Sequence, residues 1–459
     1  MALVTDPSLA AKAIPLVVIH TNNYDAYLAH ADARTRTWLS ATEFRARPHT
    51  YALVPAADGG IAQVLVGVGD VGDVYALSHL PLVLPAGEYT VAMPRDSALG
   101  DFAAALSWGL GSYQFSRYRK PARAPANLLV TANDALMRAE KVLTATTLIR
   151  DLVNTPTEDM GPQHLADVAR GLAAEFGATF HEWVGDDLLK HNFPAIHAVG
   201  RASHRPPRLI ELTWGDEKHP RVALVGKGVC FDTGGLDIKG AEGMRNMKKD
   251  MGGGAHALGL ARLIMALKLP VRLHMLVSAV ENAIAGNAYR PGEVVATRKG
   301  LNIEIGNTDA EGRVVLSDAL TLACESAPDI VIDFATLTGA ARVALGPELP
   351  ALFTNRDEWA GRLIDASHEQ QDPLWRMPLW QNYNEMIKSG IADIVNTGGP
   401  QAGSVTAALF LEHFVPKEQA WIHLDLFAWN PKAKPGRPEG GEAQTLRAVL
   451  AMLEKQYGK

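Results

Sequence analysis

Short apolar runs alternate with helical patterns over residues 1 to about 120 of this chain. The runs Leu16–Ile19 and Val64–Val68 lack polar alternation, which is typical of strands that are buried on both faces of a sheet. Residues Phe102–Leu110 follow a helical period, and Gly111 stands where a helix end favours glycine. These patterns predict a small α/β domain whose residues include no metal-binding cluster and no phosphate-binding glycine motif.

The rest of the chain alternates strand-like and helix-like segments. Pro121–Asn127 is the best linker candidate, because its two prolines interrupt any regular element. A long helix is predicted over Asn133–Val153 and must end before Pro156, since the residue preceding proline avoids the helical region. Five apolar segments are predicted as strands: Leu209–Leu212, Val222–Val225, Leu273–Val277, Ile330–Phe334 and Ile422–Leu426.

This alternation predicts an α/β protein of two domains. We expect a smaller N-terminal α/β domain at residues 1–130, a connecting helix at 131–157 and a larger C-terminal domain at 158–459. The C-terminal domain should contain a mixed, mostly parallel sheet that is flanked by helices. The Pro-, Gly- and charge-rich segment Lys432–Gly441 is expected to be a loop.

Composition narrows the class of protein. Apolar residues make up 47% of the chain, and the formal net charge is −6, which argues against a general nucleic-acid binder. Only Cys230 and Cys324 occur, so a disulfide scaffold is excluded and a reducing compartment fits. Neither a signal peptide nor a run of about 18 apolar residues is visible. We therefore expect a cytoplasmic protein with no membrane partner.

The segment Asn307–Arg313 carries the strongest chemical signal. It follows a predicted strand, Leu301–Ile305, and precedes a helix with an apolar stripe, so it forms a strand-to-helix loop. In extended backbone Asp309 and Glu311 would face the same way and repel each other, unless protons or cations lie between them. A divalent metal would satisfy them at neutral pH, but turn residues with a surface ion pair are the simpler alternative.

A second acidic segment lies upstream. The predicted strand that ends at Val225 leads into a glycine-rich segment with Asp232, and Asp250 follows before another helix. Gly226-Lys227 does not form a phosphate-binding loop, because Arg221 and Gly228 stand where that motif requires a glycine and a Ser or Thr. Sites in open α/β sheets form at the carboxyl ends of strands, so the two segments can meet.

The combined set contains four carboxylates, from Asp232, Asp250, Asp309 and Glu311. Four negative charges at one place require two divalent cations or several cationic side chains. Lys227 and Lys239 belong to the same segment, and a lysine among metals can bind as a neutral amine. For either lysine alone, a surface or salt-bridge role is the simpler interpretation.

Separated motifs in the same order resemble the leucyl aminopeptidase family, peptidase family M17. The most specific motif of that family, Asn-Thr-Asp-Ala-Glu-Gly-Arg, is complete here at 307–313. The resemblance covers about residues 150–459, and more weakly the N-terminal domain through Gly111–Tyr118. The other matching segments are Asp151–Pro156, Gly226–Gly228, Phe231–Gly235, Ile238–Lys239, Met247–Gly254, Asp333–Gly339 and Ala392–Gly399.

The resemblance implies a two-metal aminopeptidase, with zinc exchangeable for manganese or magnesium at one site. Lys227, Asp232, Asp250 and Glu311 would surround the tighter metal, and Asp232, Asp309 and Glu311 the looser one. A hydroxide that bridges the metals would attack the peptide carbonyl, while one metal binds the free α-amine of the substrate. Members of the family assemble as hexamers.

The resemblance also implies roles for other residues. Lys239 would be catalytic and would stabilise the oxyanion with one metal, and Arg313 would hold a bicarbonate ion that accepts the water proton. Five residues resemble those that line the substrate site, although each alone is equally well an ordinary core or turn residue: Met247, Asn307, Thr336, Leu337 and Gly339.

Two departures affect these expectations. Phe427–Asn430 follows the His423-Leu424-Asp425 strand, whereas family members that strongly prefer leucine have small residues there. The sequence therefore does not establish which N-terminal residue this chain prefers. Gly240 follows Lys239 where proline is common, which loosens the loop but removes no ligand. Two other functions are weighed against the peptidase: a regulatory DNA-binding protein, which the acidic balance disfavours, and a phosphatase or other two-metal hydrolase, which needs groups that bind phosphate.

Overall fold

The chain divides into two units in the computed structural model, which describes residues 2–69, 72–92 and 99–458. The first unit comprises the residues up to Thr147 together with Lys432–Glu439, and the second comprises Leu148–Pro431 and the residues from Gly440 onward. No helix within the described ranges is long and apolar enough to cross a membrane. Each unit contains its own sheet and its own core.

The described part of the first unit contains a six-stranded sheet in the order β1-β6-β5-β2-β4-β3, in which only β3 runs antiparallel to its neighbour. Its strands are β1 Leu3–Val4, β2 Ile14–His20, β3 Tyr51–Pro55, β4 Ile61–Val68, β5 Glu88–Ala92 and β6 Asn127–Leu129. The predicted strands at Leu16–Ile19 and Val64–Val68 are confirmed as the paired centre of this sheet. Trp108 packs fully buried in the core beside Tyr89.

The segment Pro121–Asn127 corrects one expectation. It leads into β6, which pairs with β1 and β5 inside the first unit. It is therefore a connection within that unit and not a linker between domains. The predicted long helix is confirmed as Asp134–Asn154, and the division between the units falls inside it, after Thr147.

An eight-stranded sheet in the order β15-β14-β17-β13-β9-β10-β8-β7 forms the centre of the second unit's described residues. The pairs among β17, β13, β9 and β10 are parallel, whereas β8, β7 and the β14–β17 pair are antiparallel, so the predicted mixed sheet is confirmed. Its strands are β7 Thr179–Val184, β8 Arg208–Trp214, β9 Arg221–Asp232, β10 Arg272–Asn282, β13 Ile330–Ala335, β14 Ala351–Thr354, β15 Trp375–Arg376 and β17 Trp421–Asp425.

Two small sheets complete the strands that the structure describes. A three-stranded sheet contains β11 Val294–Ala296, β12 Asn302–Glu304 and β16 Ile394–Val395, and a two-stranded sheet contains β18 Trp429–Asn430 and β19 Gly440–Gly441. The strand predicted at Leu301–Ile305 is confirmed as β12. Gly440–Gly441 forms a strand at the end of the segment that was expected to be a loop, while Lys432–Glu439 is largely irregular.

Helices flank these sheets. In the described residues they are α1 Tyr24–His30, α2 Ala33–Ala41, α3 Asp101–Ser112, α4 Asp134–Asn154, α5 Pro162–Phe176, α6 Asp187–Lys190, α7 Pro194–Gly200, α8 Ala241–Met244, α9 Gly252–Leu267, α10 Glu311–Glu325, α11 Gly339–Leu345, α12 Asp357–Glu369, α13 Gly403–Glu412 and α14 Leu446–Tyr457. Helices α9 and α10 are buried along most of their length, because they pack on the central strands.

Glycines allow α9 to approach the sheet more closely than other residues could. A Cβ atom on Gly253 would lie 2.0 Å from the Phe334 carbonyl oxygen, and one on Gly226 would lie 2.6 Å from the Gly254 Cα. Both separations are shorter than atoms can tolerate, so only glycine fits here. Because α9 starts at Gly252, this contact fixes the preceding turn Met247–Met251 at the carboxyl ends of β9 and β13.

We expect Gly253→Ala to lower the free energy of unfolding by roughly 1 to 3 kcal/mol, because its methyl group must displace backbone of β13. The matched control is Gly361→Ala in α12, where nothing lies within 4 Å of an added Cβ. That change should stabilise the protein by about 0.5 to 1 kcal/mol. Denaturant unfolding measures both, and equal effects of the two substitutions would contradict this account of the packing.

A buried pair between neighbouring parallel strands makes stability depend on pH. His423 Nδ1 lies 2.6 Å from Asp333 Oδ1, and the indole Nε1 of Trp421 donates to Asp333 Oδ2 at 2.7 Å. Burial disfavours the charged imidazole, but the charge and hydrogen bond of Asp333 outweigh it and raise the pKa of His423. The pair's contribution is then fully present below about pH 6.5 and is lost as pH rises through the raised pKa.

Asp333→Asn should therefore destabilise the protein more at pH 6 than at pH 9. The loss at pH 6 should be roughly 3 to 5 kcal/mol, because one partner of a buried charged pair is removed. Asp365→Asn, at an exposed position of α12, is the control and should show no such pH dependence. Denaturant unfolding curves at both pH values measure the loss of stability. A larger loss at pH 9 than at pH 6 would contradict the assignment of a charged His423 in the pair.

Candidate metal centre

Two distant segments of the second unit bring acidic side chains together at the carboxyl edge of its main sheet. Asp232 is the last residue of β9, Asp309 lies in the loop before α10, and Glu311 is the first residue of α10. One carboxylate oxygen from each lies within 4.8 Å of the others. Asp250, in the turn before α9, is outside this three-carboxylate group but shares Lys227 with it.

The loop Asn307–Ala310 is a turn and not extended backbone, so the reason given for the closeness of Asp309 and Glu311 was wrong. Asn396 shapes this turn. Its Oδ1 accepts from the backbone N–H groups of Gly306 and Asn307 at 2.8 and 3.2 Å, and its Nδ2 donates to the Asn307 carbonyl at 2.7 Å. The Asn307 Oδ1 in turn accepts from the Asp309 N–H at 2.7 Å.

The two lysines lie between the carboxylates. Lys227 Nζ is 2.7 Å from Asp250 Oδ2 and 2.8 Å from Glu311 Oε1, and it donates to the Thr336 carbonyl at 3.0 Å. Lys239 Nζ is 2.8 Å from Asp232 Oδ2 and also pairs with Asp309. Each ammonium group thus bridges one carboxylate of the upstream segment and one of the downstream loop.

Burial and mutual repulsion shift the acids in different directions. Burial, with the neighbouring Asp232 charge, raises the pKa of Glu311 to about 8 and that of Asp309 to about 6. Burial also disfavours the charged Asp250, but the Lys227 ammonium outweighs it and lowers the pKa of Asp250. Lys227 therefore stabilises the charged form of Asp250 more effectively than that of Glu311, and negative charge remains in excess in the three-carboxylate group.

The donor set fits a divalent cation. Glu311 is 1% exposed, and its Oε2 atom has no hydrogen-bond partner among the described residues. Buried acceptors without a partner are rare, so an unpaired carboxylate oxygen in an acidic cluster suits a cation. Carboxylate oxygens are ligands for magnesium and manganese, and zinc also accepts them.

Residues outside the expected set support the cluster. Asn282, at the end of β10, donates from Nδ2 to Asp232 Oδ1 at 2.8 Å and to the Thr308 carbonyl at 3.0 Å. Tyr289 donates to the same carbonyl at 2.6 Å. Sequence analysis missed Asn282 because β10 extends five residues beyond Val277, where the predicted apolar run ends.

A cavity of about 560 Å³ opens beside the cluster. Four of the five predicted substrate-site residues line it, namely Met247, Thr336, Leu337 and Gly339, together with Lys227, Lys239 and all four acids. Asn307 is not among its lining residues and contacts the site through Asp309. Asp425, at the end of β17, accepts from Leu337 N at 3.1 Å and Thr338 N at 3.2 Å, which orders this wall.

Arg313 lies in α10 and is also outside the lining of the cavity. Its Nη1 donates to the Asn396 carbonyl at 2.8 Å, while its buried Nε has no partner within the part of the chain that the structure describes. Burial lowers the pKa of Arg313 to about 10, so the side chain is still cationic at neutral pH. Its unpaired donor is suited to an anion.

Two protein-family models match this chain. The model described as "Cytosol aminopeptidase family, catalytic domain" matches residues 147–450, and "M17 aminopeptidase, N-terminal domain" matches residues 14–131. A probable cytosol aminopeptidase of Syntrophotalea carbinolica is 42% identical over 365 residues, which cover 76% of this chain and 73% of the relative.

Solved structures show the same similarity over nearly the whole chain. The cytosol aminopeptidase from Coxiella burnetii is 50% identical, with a TM-score of 0.95 and 99% of both chains covered. The bottromycin maturation enzyme BotP in complex with Mn is 33% identical, with a TM-score of 0.87 and coverage of 97% of this chain and 99% of that one.

Proposed function

Because the chain belongs to the cytosol aminopeptidase family, peptidase family M17, we propose that it is a metal-dependent aminopeptidase that releases the N-terminal residue of peptides. The observation that carries this proposal is the group of Asp232, Asp309 and Glu311, with an unpaired buried oxygen on Glu311, beside a cavity large enough for a short peptide segment.

We propose that two divalent cations bind here, zinc with manganese or magnesium possible at the looser site. Lys227, Asp232, Asp250 and Glu311 would hold the tighter ion, and Asp232, Asp309 and Glu311 the looser one. When bound, such ions lower the pKa of water towards neutrality and polarise a carbonyl group. The ammonium of Lys227 contacts the same oxygens that would bind an ion, so Lys227 would serve as a neutral amine.

The catalytic role proposed for Lys239 follows from its position. Its side chain lines the cavity, is 17% exposed and lies between Asp232 and Asp309. A cation in that place can donate to the oxygen of a peptide carbonyl as negative charge develops on it. The ion pairs with Asp232 and Asp309 hold the ammonium of Lys239 in that place before a substrate binds.

Arg313 is proposed to bind bicarbonate, which would accept the proton of the attacking water. Its unpaired Nε supports an anion beside it. Met247, Thr336, Leu337 and Gly339 would contact the first side chain of the substrate from the cavity wall, and Asn307 would orient Asp309. Specificity for a free N-terminus would come from binding of the α-amine at the acidic cluster.

We further propose a cytoplasmic location, which the names of the relatives support, and a homo-hexameric assembly, which the family resemblance supports. Peptides with a free N-terminus are the proposed partners. Nucleic acid is not expected as a partner, because the net charge is −6.

The purified protein should release free amino acid from an unblocked peptide and none from its N-acetylated counterpart, since the amine is required for binding. A chelator should abolish release, and added Zn²⁺ or Mn²⁺ should restore it. Amino-acid analysis of the products measures both effects. Cleavage of a phosphate ester but of no peptide would establish the phosphatase alternative instead. Peptidase activity that persists in the presence of the chelator would show that the activity does not depend on a metal.

Substitutions should separate catalysis from metal binding. We expect Lys239→Ala to keep both metals and lose roughly 10²- to 10³-fold in kcat, as for removal of one oxyanion donor. Asp250→Ala should empty the tighter site, whereas Asp216→Ala in an exposed turn should change nothing. Metal analysis beside turnover tests this. Metal loss in Lys239→Ala, or full metal content in Asp250→Ala, would contradict the roles given.

A further inference from the structure

Two cations that the proposed chemistry does not use lie on the wall of the same cavity. Lys249 Nζ and Arg342 Cζ are each 5.0 Å from the centroid of the Phe427 ring, and all three residues line the cavity. Lys249 belongs to the turn before α9, Arg342 to α11, and Phe427 follows β17. Three separate elements therefore bring these groups together.

Lys249 is 6% exposed, yet its ammonium makes no hydrogen bond to any residue that the structure describes. Its nearest carboxylate oxygen is Asp250 Oδ1 at 3.9 Å, which already accepts from the Thr336 hydroxyl at 2.8 Å. An ammonium can donate three hydrogen bonds, and burial without acceptors is unfavourable. Lys249 is one of the residues that line the cavity, so a group bound there can approach its ammonium.

Arg342 has a similar lack of acceptors. Within the described ranges its guanidinium makes no hydrogen bond or ion pair, and its ring contact is with Phe427. The planar guanidinium offers paired donors that match the two oxygens of a carboxylate. Arg342 is exposed on α11, so it can move to meet a bound group.

Among the described acids that share the cavity, only Asp250 forms an ion pair with either cation, the 3.9 Å pair with Lys249. The oxygens of Asp425 accept from the Leu337–Thr338 turn, and Asp232 and Asp309 pair with Lys239. Glu242 also lines the cavity, on the exposed helix α8, and it forms no ion pair with Lys249 or Arg342. A pair of cations beside an aromatic ring is thus left to interact with whatever enters the cavity.

We propose that Lys249 and Arg342 form a subsite for a carboxylate of the substrate, with the Phe427 ring packing on the methylene groups that carry it. This inference rests on the proposed aminopeptidase function and names its substrate class as peptides that carry a carboxylate close to the cleaved bond. The carboxylate has two possible sources: the side chain of an N-terminal Glu or Asp, or the C-terminal carboxylate of a dipeptide.

The test uses two matched substrate pairs on the metal-loaded, full-length protein. Glutamyl and glutaminyl p-nitroanilides differ only in the charge of the first side chain, and Leu-Gly and Leu-Gly-amide differ only in the terminal carboxylate. We expect the charged member of one pair to have a kcat/KM higher by roughly 10- to 100-fold, as for a hydrogen bond to a charged group. The pair that shows the preference identifies the source.

Lys249→Met and Arg342→Gln should each reduce that ratio towards one, mainly through KM for the charged substrate. Lys248→Met is the matched control, because it removes the same charge one residue away. Lys248 donates to the Asn154 carbonyl at 2.7 Å and is not among the residues that line the cavity, so the ratio should be unchanged. Metal analysis of Lys249→Met excludes an indirect effect through Asp250.

Leucyl p-nitroanilide separates the two levels of the hypothesis. If it is hydrolysed while both ratios stay near one, the carboxylate subsite is wrong and the aminopeptidase function stands. If no aminoacyl substrate is hydrolysed, the aminopeptidase function and the carboxylate subsite are both wrong. An equal loss of the ratio in Lys248→Met would show a general charge effect and would also overturn the subsite. Arg342→Gln changes an exposed residue, so the test does not depend on the folding of Lys249→Met.

Discussion

Repulsion among crowded carboxylates is the interaction on which the rest of the second unit depends. Asp232, Asp250 and Glu311 are at most 3% exposed, and water cannot screen them as it would at a surface. They come together only because large buried surfaces on both sides enforce it. The favourable free energy of packing α9 and α10 on the central strands therefore offsets the repulsion among these carboxylates.

The two lysines compensate the negative charges of these carboxylates unequally. Lys227 contacts acids from both segments, and so does Lys239, yet Glu311 still has an oxygen without a partner. An arrangement in which ammonium groups satisfied every oxygen would be a closed structural ion pair network. The excess of acceptors over donors is what distinguishes a candidate ion site from such a network, and it makes the metal proposal a physical one.

Much of the fold could be predicted because its signals are local. Buried parallel strands have continuous apolar runs, and the acids fall just beyond those runs or in the turns that follow them, so Asp232 and Glu311 were identified from the chain alone. Asn396 could not be found this way, because it contacts the Asn307 loop across about ninety positions of sequence. The pairing of Arg342 and Lys249 over Phe427 likewise needs coordinates, since three separate elements contribute to it.

The glycine contact between α9 and the sheet limits which parts of the cavity wall can change. Gly226, Gly253 and Gly254 leave no room for a side chain, so the turn that carries Asp250 cannot shift without breaking the core. In α11, by contrast, Gly339 has open space around it. The cavity can thus accept new side chains on the wall that α11 contributes and admit different peptides, while the opposite wall keeps Asp250 in place.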